Sequence, residues 1–113
     1  MSELDRTFAA LADPTRRRVI DLLRTGERRA GELADDLAMS PPAMSRHLRI
    51  LRTSGLVEES HGGDDARVRM YRLRQRPFGQ LREWLDDLER FWAGELAAFK
   101  QHAERTRGPR KKP

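Results

Sequence analysis

The sequence predicts a mainly α-helical domain that carries one small β-hairpin. Three observations predict it. Between residues 3 and 54 apolar side chains recur at helical spacing in four short runs, each bounded by residues that start or stop helices. Residues 57–74 hold two extended runs around Gly62-Gly63-Asp64-Asp65, which supplies the positive-φ positions of a hairpin turn. Residues 78–104 then present a single long apolar stripe at helical period.

The first helix is read over residues 3–12, with Leu4, Phe8 and Leu11 at i, i+4 and i+7. Asp13-Pro14 restarts the chain, Asp as N-cap and Pro at the first helical position, and a second helix runs over 14–25 to Gly26. Its first turn lacks the acids that suit a helix N-terminus. Arg16, Arg17 and Arg18 stand there instead, at some cost to the helix dipole. Approaching phosphates would offset that cost; surface arginines in an Arg-rich chain are the plain alternative. Glu27-Arg28-Arg29 is extended at most, and residues 31–38 form a brief helix burying Leu33, Ala34 and Leu37.

The fourth helix, 41–54, is the most informative segment. Ser40 is a good N-cap, Pro41 and Pro42 fit a first turn that needs no intrahelical N–H, and Gly55 supplies the left-handed stop. Met44, Leu48 and Leu51 share one stripe; Pro42, Ser45, Arg46, Arg49, Arg52 and Thr53 share the other. Ser and Arg on an exposed helix face can reach base edges and phosphates in a major groove, and a solvated face is the bland reading of the same pattern. The surroundings decide. A short helix joined by a tight turn at Met39 to a basic helix is a helix-turn-helix, and a hairpin directly behind it is a wing. Val68, Met70 and Leu73 are its apolar residues, while Arg67, Arg69 and Arg72 are basic. Arg67 and Arg69 flank the tip, where Asp64 and Asp65 would repel phosphate.

Composition agrees. The 113 residues are 37% hydrophobic and 36% charged, enough for one small core and too few for an enclosed active-site cavity within one subunit. Cysteine is absent, which removes disulfides, thiolate metal sites and thiol switches. No apolar run approaches the roughly 18 residues that span a bilayer, and Met1-Ser-Glu-Leu-Asp5 has no secretory character, so a cytoplasmic protein without membrane contact is expected. The net charge is +5; setting aside the five basic residues of 105–113 from the 23 leaves 18 to match the 18 acids. Within 40–76, eight Arg face four acids, a local surplus suited to nucleic acid. Arg outnumbers Lys 20 to 3, which can reflect base composition, so no arginine is functional by type alone.

The stripe Leu81, Leu85, Leu88, Trp92, Leu96 and Phe99, widened by Trp84 and Phe91, is too long and aromatic for a small domain to cover. It is expected to join Leu4, Phe8 and Leu11 in a twofold dimer interface. Core packing is the reading preferred for the rings of Trp84, Phe91 and Trp92, with a ligand pocket as the alternative. Residues 105–113 read as a basic, disordered tail.

Leu11-Ala-Asp-Pro-Thr-Arg-Arg-Arg-Val-Ile-Asp-Leu-Leu23, Glu32-Leu-Ala-Asp-Asp-Leu37 and Met39-Ser-Pro-Pro-Ala-Met-Ser-Arg-His-Leu-Arg-Ile-Leu-Arg-Thr-Ser-Gly-Leu-Val57 together resemble the ArsR family of bacterial winged helix-turn-helix repressors. The likeness covers residues 5–75. It implies a homodimer, joined through its N- and C-terminal helices, that blocks transcription from an inverted-repeat operator. It also implies that Ser45 and Arg46 face the bases, together with Ser40, Pro42, Ala43 and Arg49. Arg16, Arg52, Arg67 and Arg69 are then the backbone contacts. His47 matches the family's His before Leu, and its place between the two stripes favours a structural role. Many members sense metals through Cys pairs or Asp/His/Glu sets. Here residues 32–37 hold neither Cys nor His, and His47, His61 and His102 lie in three different elements. A metal-independent member with no cofactor is therefore expected, and the sequence names no effector.

A sequence-specific repressor binding double-stranded DNA is thus the leading expectation. A weakly specific architectural DNA-binding protein and a winged-helix protein-interaction module are the alternatives. Nothing resembles a nucleophile–base pair, a phosphate loop or a metal-water site, so an enzyme is not expected.

Overall fold

The computed structural model describes residues 1–61 and 68–107. In chain order these form α1 (Glu3–Leu11), α2 (Pro14–Leu23), β1 (Arg28–Arg29), α3 (Ala30–Asp36), α4 (Pro41–Thr53), β2 (Val57–His61), β3 (Arg69–Leu73) and α5 (Gln75–Arg107). Two compact units result, Met1–Leu81 and Arg82–Pro113.

In the first unit the helix starts are local chemistry. Ser2 and Asp5 close a capping box around the first turn of α1. Asp13 accepts the Arg16 N–H at 3.0 Å, with Pro14 opening α2. Ser40 accepts the Ala43 N–H at 3.3 Å, and Pro41 and Pro42 fill the first turn of α4. The ends of α3 and α4 follow one pattern. Met39 N–H reaches Ala34 C=O and Ala38 N–H reaches Asp35 C=O; Leu56 reaches Leu51 and Gly55 reaches Arg52 in the same way. These are Schellman closures, which need a left-handed residue at the turn. Gly55 supplies it at φ 83°, whereas α3 uses Ala38 at φ 52°.

The expected hairpin is part of a three-stranded antiparallel sheet in the order β1-β3-β2. The run expected to be extended at most is a two-residue strand, with Arg28 opposite Tyr71 and Arg29 opposite Met70. In β3 the buried side chain is Tyr71, while Met70 is only half-buried. The strand therefore does not point Val68, Met70 and Leu73 inward as one set, because Tyr71 and Leu73 share a face and Met70 lies on the other. The turn residues Gly62, Gly63, Asp64 and Asp65 lie outside the described residues.

The core gathers Val19, Ile20 and Leu23 of α2, Leu33 and Ala34 of α3, Met44, Leu48 and Leu51 of α4, Leu56 of the turn after it, and Val57 and Tyr71 of the sheet. Against it α1 buries Ala10 and Thr7, the latter with its hydroxyl donating to the Glu3 carbonyl at 3.1 Å. Small residues at those positions let the helix lie close, and the stripe expected at a dimer interface lies at the margin of the core. Leu4 and Leu11 are half-buried and Phe8 is 41% exposed.

The last helix starts at Gln75 rather than Phe78, because Pro77 in a first turn costs no hydrogen bond. It also runs past Glu104 to Arg107, so the first residues of the expected tail are helical. In the second unit this helix leaves Leu85, Leu88, Phe91, Trp92, Leu96 and Phe99 exposed, with the rings of Phe91 and Trp92 edge to face at 6.0 Å.

Candidate nucleic-acid interface

In an Arg-rich chain the useful question is which guanidiniums the fold has already engaged. Arg16 donates from Nε to the Ala10 carbonyl at 2.7 Å, and Arg17 from Nη1 to the Leu11 carbonyl at 2.7 Å. The basic first turn of α2 thus closes the open carbonyl end of α1, where positive charge is favourable. Arg28 donates to the Leu22 carbonyl at 3.0 Å, and Arg72 pairs with Glu58 across the sheet at 2.7 Å. Among the described residues of the first unit, Arg18, Arg29, Arg46 and Arg49 have no side-chain hydrogen bond or ion pair. Two of those four stand on α4.

On α4, Ser40, Pro42, Ser45, Arg46 and Arg49 are exposed and Ala43 is half-buried. Pro42, Ser45, Arg46 and Arg49 fall within about 100° of one another around the helix axis. Met44, Leu48 and Leu51 hold the opposite side in the core, so the helix cannot roll to hide its arginines. The face can donate bidentate hydrogen bonds from Arg, donate or accept from Ser, and approach closely over Pro42 and Ala43.

Glu59 organises the rest. Its Oε1 accepts from Arg52 Nη1 at 3.1 Å and from the Tyr71 hydroxyl at 2.9 Å, with Arg69 Nη1 at 3.9 Å. Burial pushes the Tyr71 phenol up, and the Glu59 carboxylate adds to the shift. Arg52 and Arg69, both expected at the DNA backbone, are exposed and joined through this acid, whereas Arg16 is half-buried in its capping role. Arg67 lies outside the described residues.

His47 is half-buried at the edge of α4, with Nδ1 3.8 Å from Oδ2 of Asp13. The hydrogen bond from Arg16 N–H holds the Asp13 carboxyl below its ordinary range, despite some desolvation. Neither Glu59 nor the Asp13–His47 contact could be found by spacing along the chain, since both need tertiary register. Among the described residues no group of three or more His, Cys, Asp or Glu is placed to hold a metal ion, and no helix is long and apolar enough to cross a membrane.

Comparison with known proteins agrees with this geometry. The family model described as "Bacterial regulatory protein, arsR family" matches residues 13–59, which hold α2, α3 and α4. The chain is 41% identical over 97 residues to the HTH-type transcriptional regulator Rv2034 of Mycobacterium tuberculosis, covering 86% of this chain and 85% of that one. It is 37% identical over 60 residues to the transcriptional repressor SdpR of Bacillus subtilis, covering 53% of this chain and 67% of that one. Among solved structures, an ArsR-like transcriptional regulator from Rhodococcus sp. RHA1 superposes with a TM-score of 0.75 at 34% identity, covering 90% of this chain and 91% of that one.

Proposed function

The chain belongs to the arsR family of bacterial regulatory proteins, and on that premise we propose that it is a homodimeric, metal-independent repressor reading an inverted-repeat operator. DNA-binding transcriptional regulation is the business of the family, and the names of its relatives point to a regulator rather than an enzyme. The observation that carries the reading is the pair Arg46 and Arg49, uncommitted beside Ser45 on a helix whose other side is locked in the core. Base readout falls to Ser40, Pro42, Ala43, Ser45, Arg46 and Arg49. Arg69 meets the backbone, and Arg16 and Arg52 add the N–H donors that their internal contacts leave over.

Dimerisation is supported by the exposed apolar run from Leu85 to Phe99, which also fits a partner better than water. In the first unit Leu81 and Leu4 are half-buried, and Leu11 packs partly against the core. Metal independence is supported by the absence of Cys and by three His in separate elements. A cytoplasmic location follows from the proposed DNA target.

Titration of the purified protein on a selected operator, in a large excess of random duplex, tests this. Retained binding, unchanged by a chelator, is the expected result. Loss to the competitor points instead to a weakly specific architectural protein, and loss to the chelator overturns metal independence.

A further inference from the structure

A cavity of 290 Å³ opens beside the turn that ends α4, within the first unit, and it is lined by Arg6, Arg52, Arg74 and Arg76 with Glu3 as its acid. Of the side chains proposed to meet DNA, only Arg52 lines it. α4 has 13 residues, so the cavity lies about 20 Å along the helix from Ser40 at 1.5 Å per residue.

The charges in it do not cancel. Glu3 accepts from Gln80 Nε2 at 2.8 Å and lies 3.6 Å from Arg76 Nη2. That hydrogen bond, then the Arg76 charge, holds its carboxyl below the ordinary range, with Arg6 and Arg74 adding to the effect. Arg52 is answered by Glu59. Arg6 and Arg74, by contrast, donate only to neutral backbone acceptors among the described residues, the Met1 carbonyl at 3.1 Å and the Gly55 carbonyl at 3.2 Å. Four guanidiniums therefore meet two carboxylates, and two positive charges are left over.

All four guanidiniums are exposed, and Arg74 Nη1 lies close over Gly55, 3.3 Å from where a Cβ would stand. Arg74 sits on a carbonyl at the negative end of α4 and offsets the field there that would repel an anion. Thr53 and Ser54 add hydroxyls to the same wall. Each guanidinium offers several N–H donors in a fixed fork, which suits phosphate or carboxylate oxygens.

We infer that this cavity binds a small anion carrying at least two negative charges, a phosphorylated or polycarboxylic metabolite, held by Arg6, Arg74 and Arg76. A macromolecular phosphate is the less fitting occupant, because the arginines line a concavity rather than a ridge. Arg6, Arg74 and Arg76 are not among the proposed DNA contacts, so either site can fail alone.

Isothermal titration of the full chain with pyrophosphate and with citrate, at ionic strength matched with chloride, tests the inference; the preferred anion tells phosphate from carboxylate chemistry. Saturable binding of one anion per chain is expected. Arg6→Gln and Arg76→Gln should each weaken it at least about tenfold, the loss of one charge-assisted contact. Arg24→Gln, at an exposed arginine that caps the end of α2 and does not line the cavity, should leave it within about twofold, since a screened charge outside the site contributes little. Glu3→Gln should tighten it several-fold, a gain that damage to folding does not produce. Absence of saturable heat, equal loss in Arg24→Gln, or weaker binding in Glu3→Gln overturns the site. Stoichiometric displacement of pyrophosphate by random duplex overturns the small-ligand assignment and gives the cavity to the DNA backbone.

Discussion

His47 on α4 lies with Nδ1 3.8 Å from Oδ2 of Asp13, the residue that caps α2. One carboxylate thus serves two helices. It accepts the Arg16 N–H that starts α2 and faces the imidazole on the edge of α4. Met44, Leu48 and Leu51 fix the roll of α4 in the core, and the Asp13 contact lies at its edge.

The Asp13 contact has a pH signature. Its folded pKa is lowered, so the stability it confers is complete above its unfolded value near 3.8 and is lost as pH falls through the folded value. Asp13→Ala should melt below the wild type at neutral pH, and the two melting curves should converge in acid, below pH 3.8. A gap of constant size down to the acid limit contradicts the assignment.

Two arginines should separate by role. Arg46→Ala should cost roughly 1–3 kcal/mol on the operator and relax the preference at one base per half-site. Arg69→Ala should weaken all duplexes alike and reduce the slope of log K against log salt by about 1. Fluorescence anisotropy on operator and random duplex, at two salt concentrations, reads both effects.

Glu59 joins Arg52, Tyr71 and Arg69 through one carboxylate oxygen. Glu59→Ala leaves the part-buried Tyr71 hydroxyl without its acceptor, a loss of about 0.5–1.5 kcal/mol in chemical denaturation. Adding Tyr71→Phe in that background should recover part of the loss, because the orphaned hydroxyl is then gone. No recovery places the cost elsewhere.

Ala38 closes α3 at φ 52°, where a Cβ is crowded and Gly55 does the same work at α4 without one. Ala38→Gly should stabilise the protein by about 0.5–1 kcal/mol, the relief of that crowding less the added freedom of the unfolded chain. Thermal melting at neutral pH measures it, and a lower melting temperature refutes the strain.

What could be read along the chain was what local chemistry decides. The span of α4 follows from Ser40, Pro41, Pro42 and Gly55, all within or beside the helix, and its core face from the spacing of Met44, Leu48 and Leu51. Expectations failed where distant parts meet. The stripe of Leu4, Phe8 and Leu11 marked α1 as a helix, but spacing alone did not show that Thr7 and Ala10 lie against the core, where close approach favours small residues. Arg16 and Arg17 looked like an unfavourable start to α2 until the carbonyl end of α1 came beside them. The pairing of Arg28 with Tyr71 joins segments far apart in the chain, and Glu59 gains its partners only once β2 and β3 are in register. Arg46 and Arg49 could be named from the sequence, but only the engagement of their neighbours sets them, with Arg18 and Arg29, apart from the other arginines of the first unit.

The central claim is that two copies of α4 read one duplex together, and selection of bound sequences from a random duplex pool tests it most directly. The account predicts an inverted repeat whose half-site centres lie about one helical turn, or 34 Å, apart or at a multiple of that spacing. Enrichment of a single unpaired site, or of no sequence over the input, contradicts it.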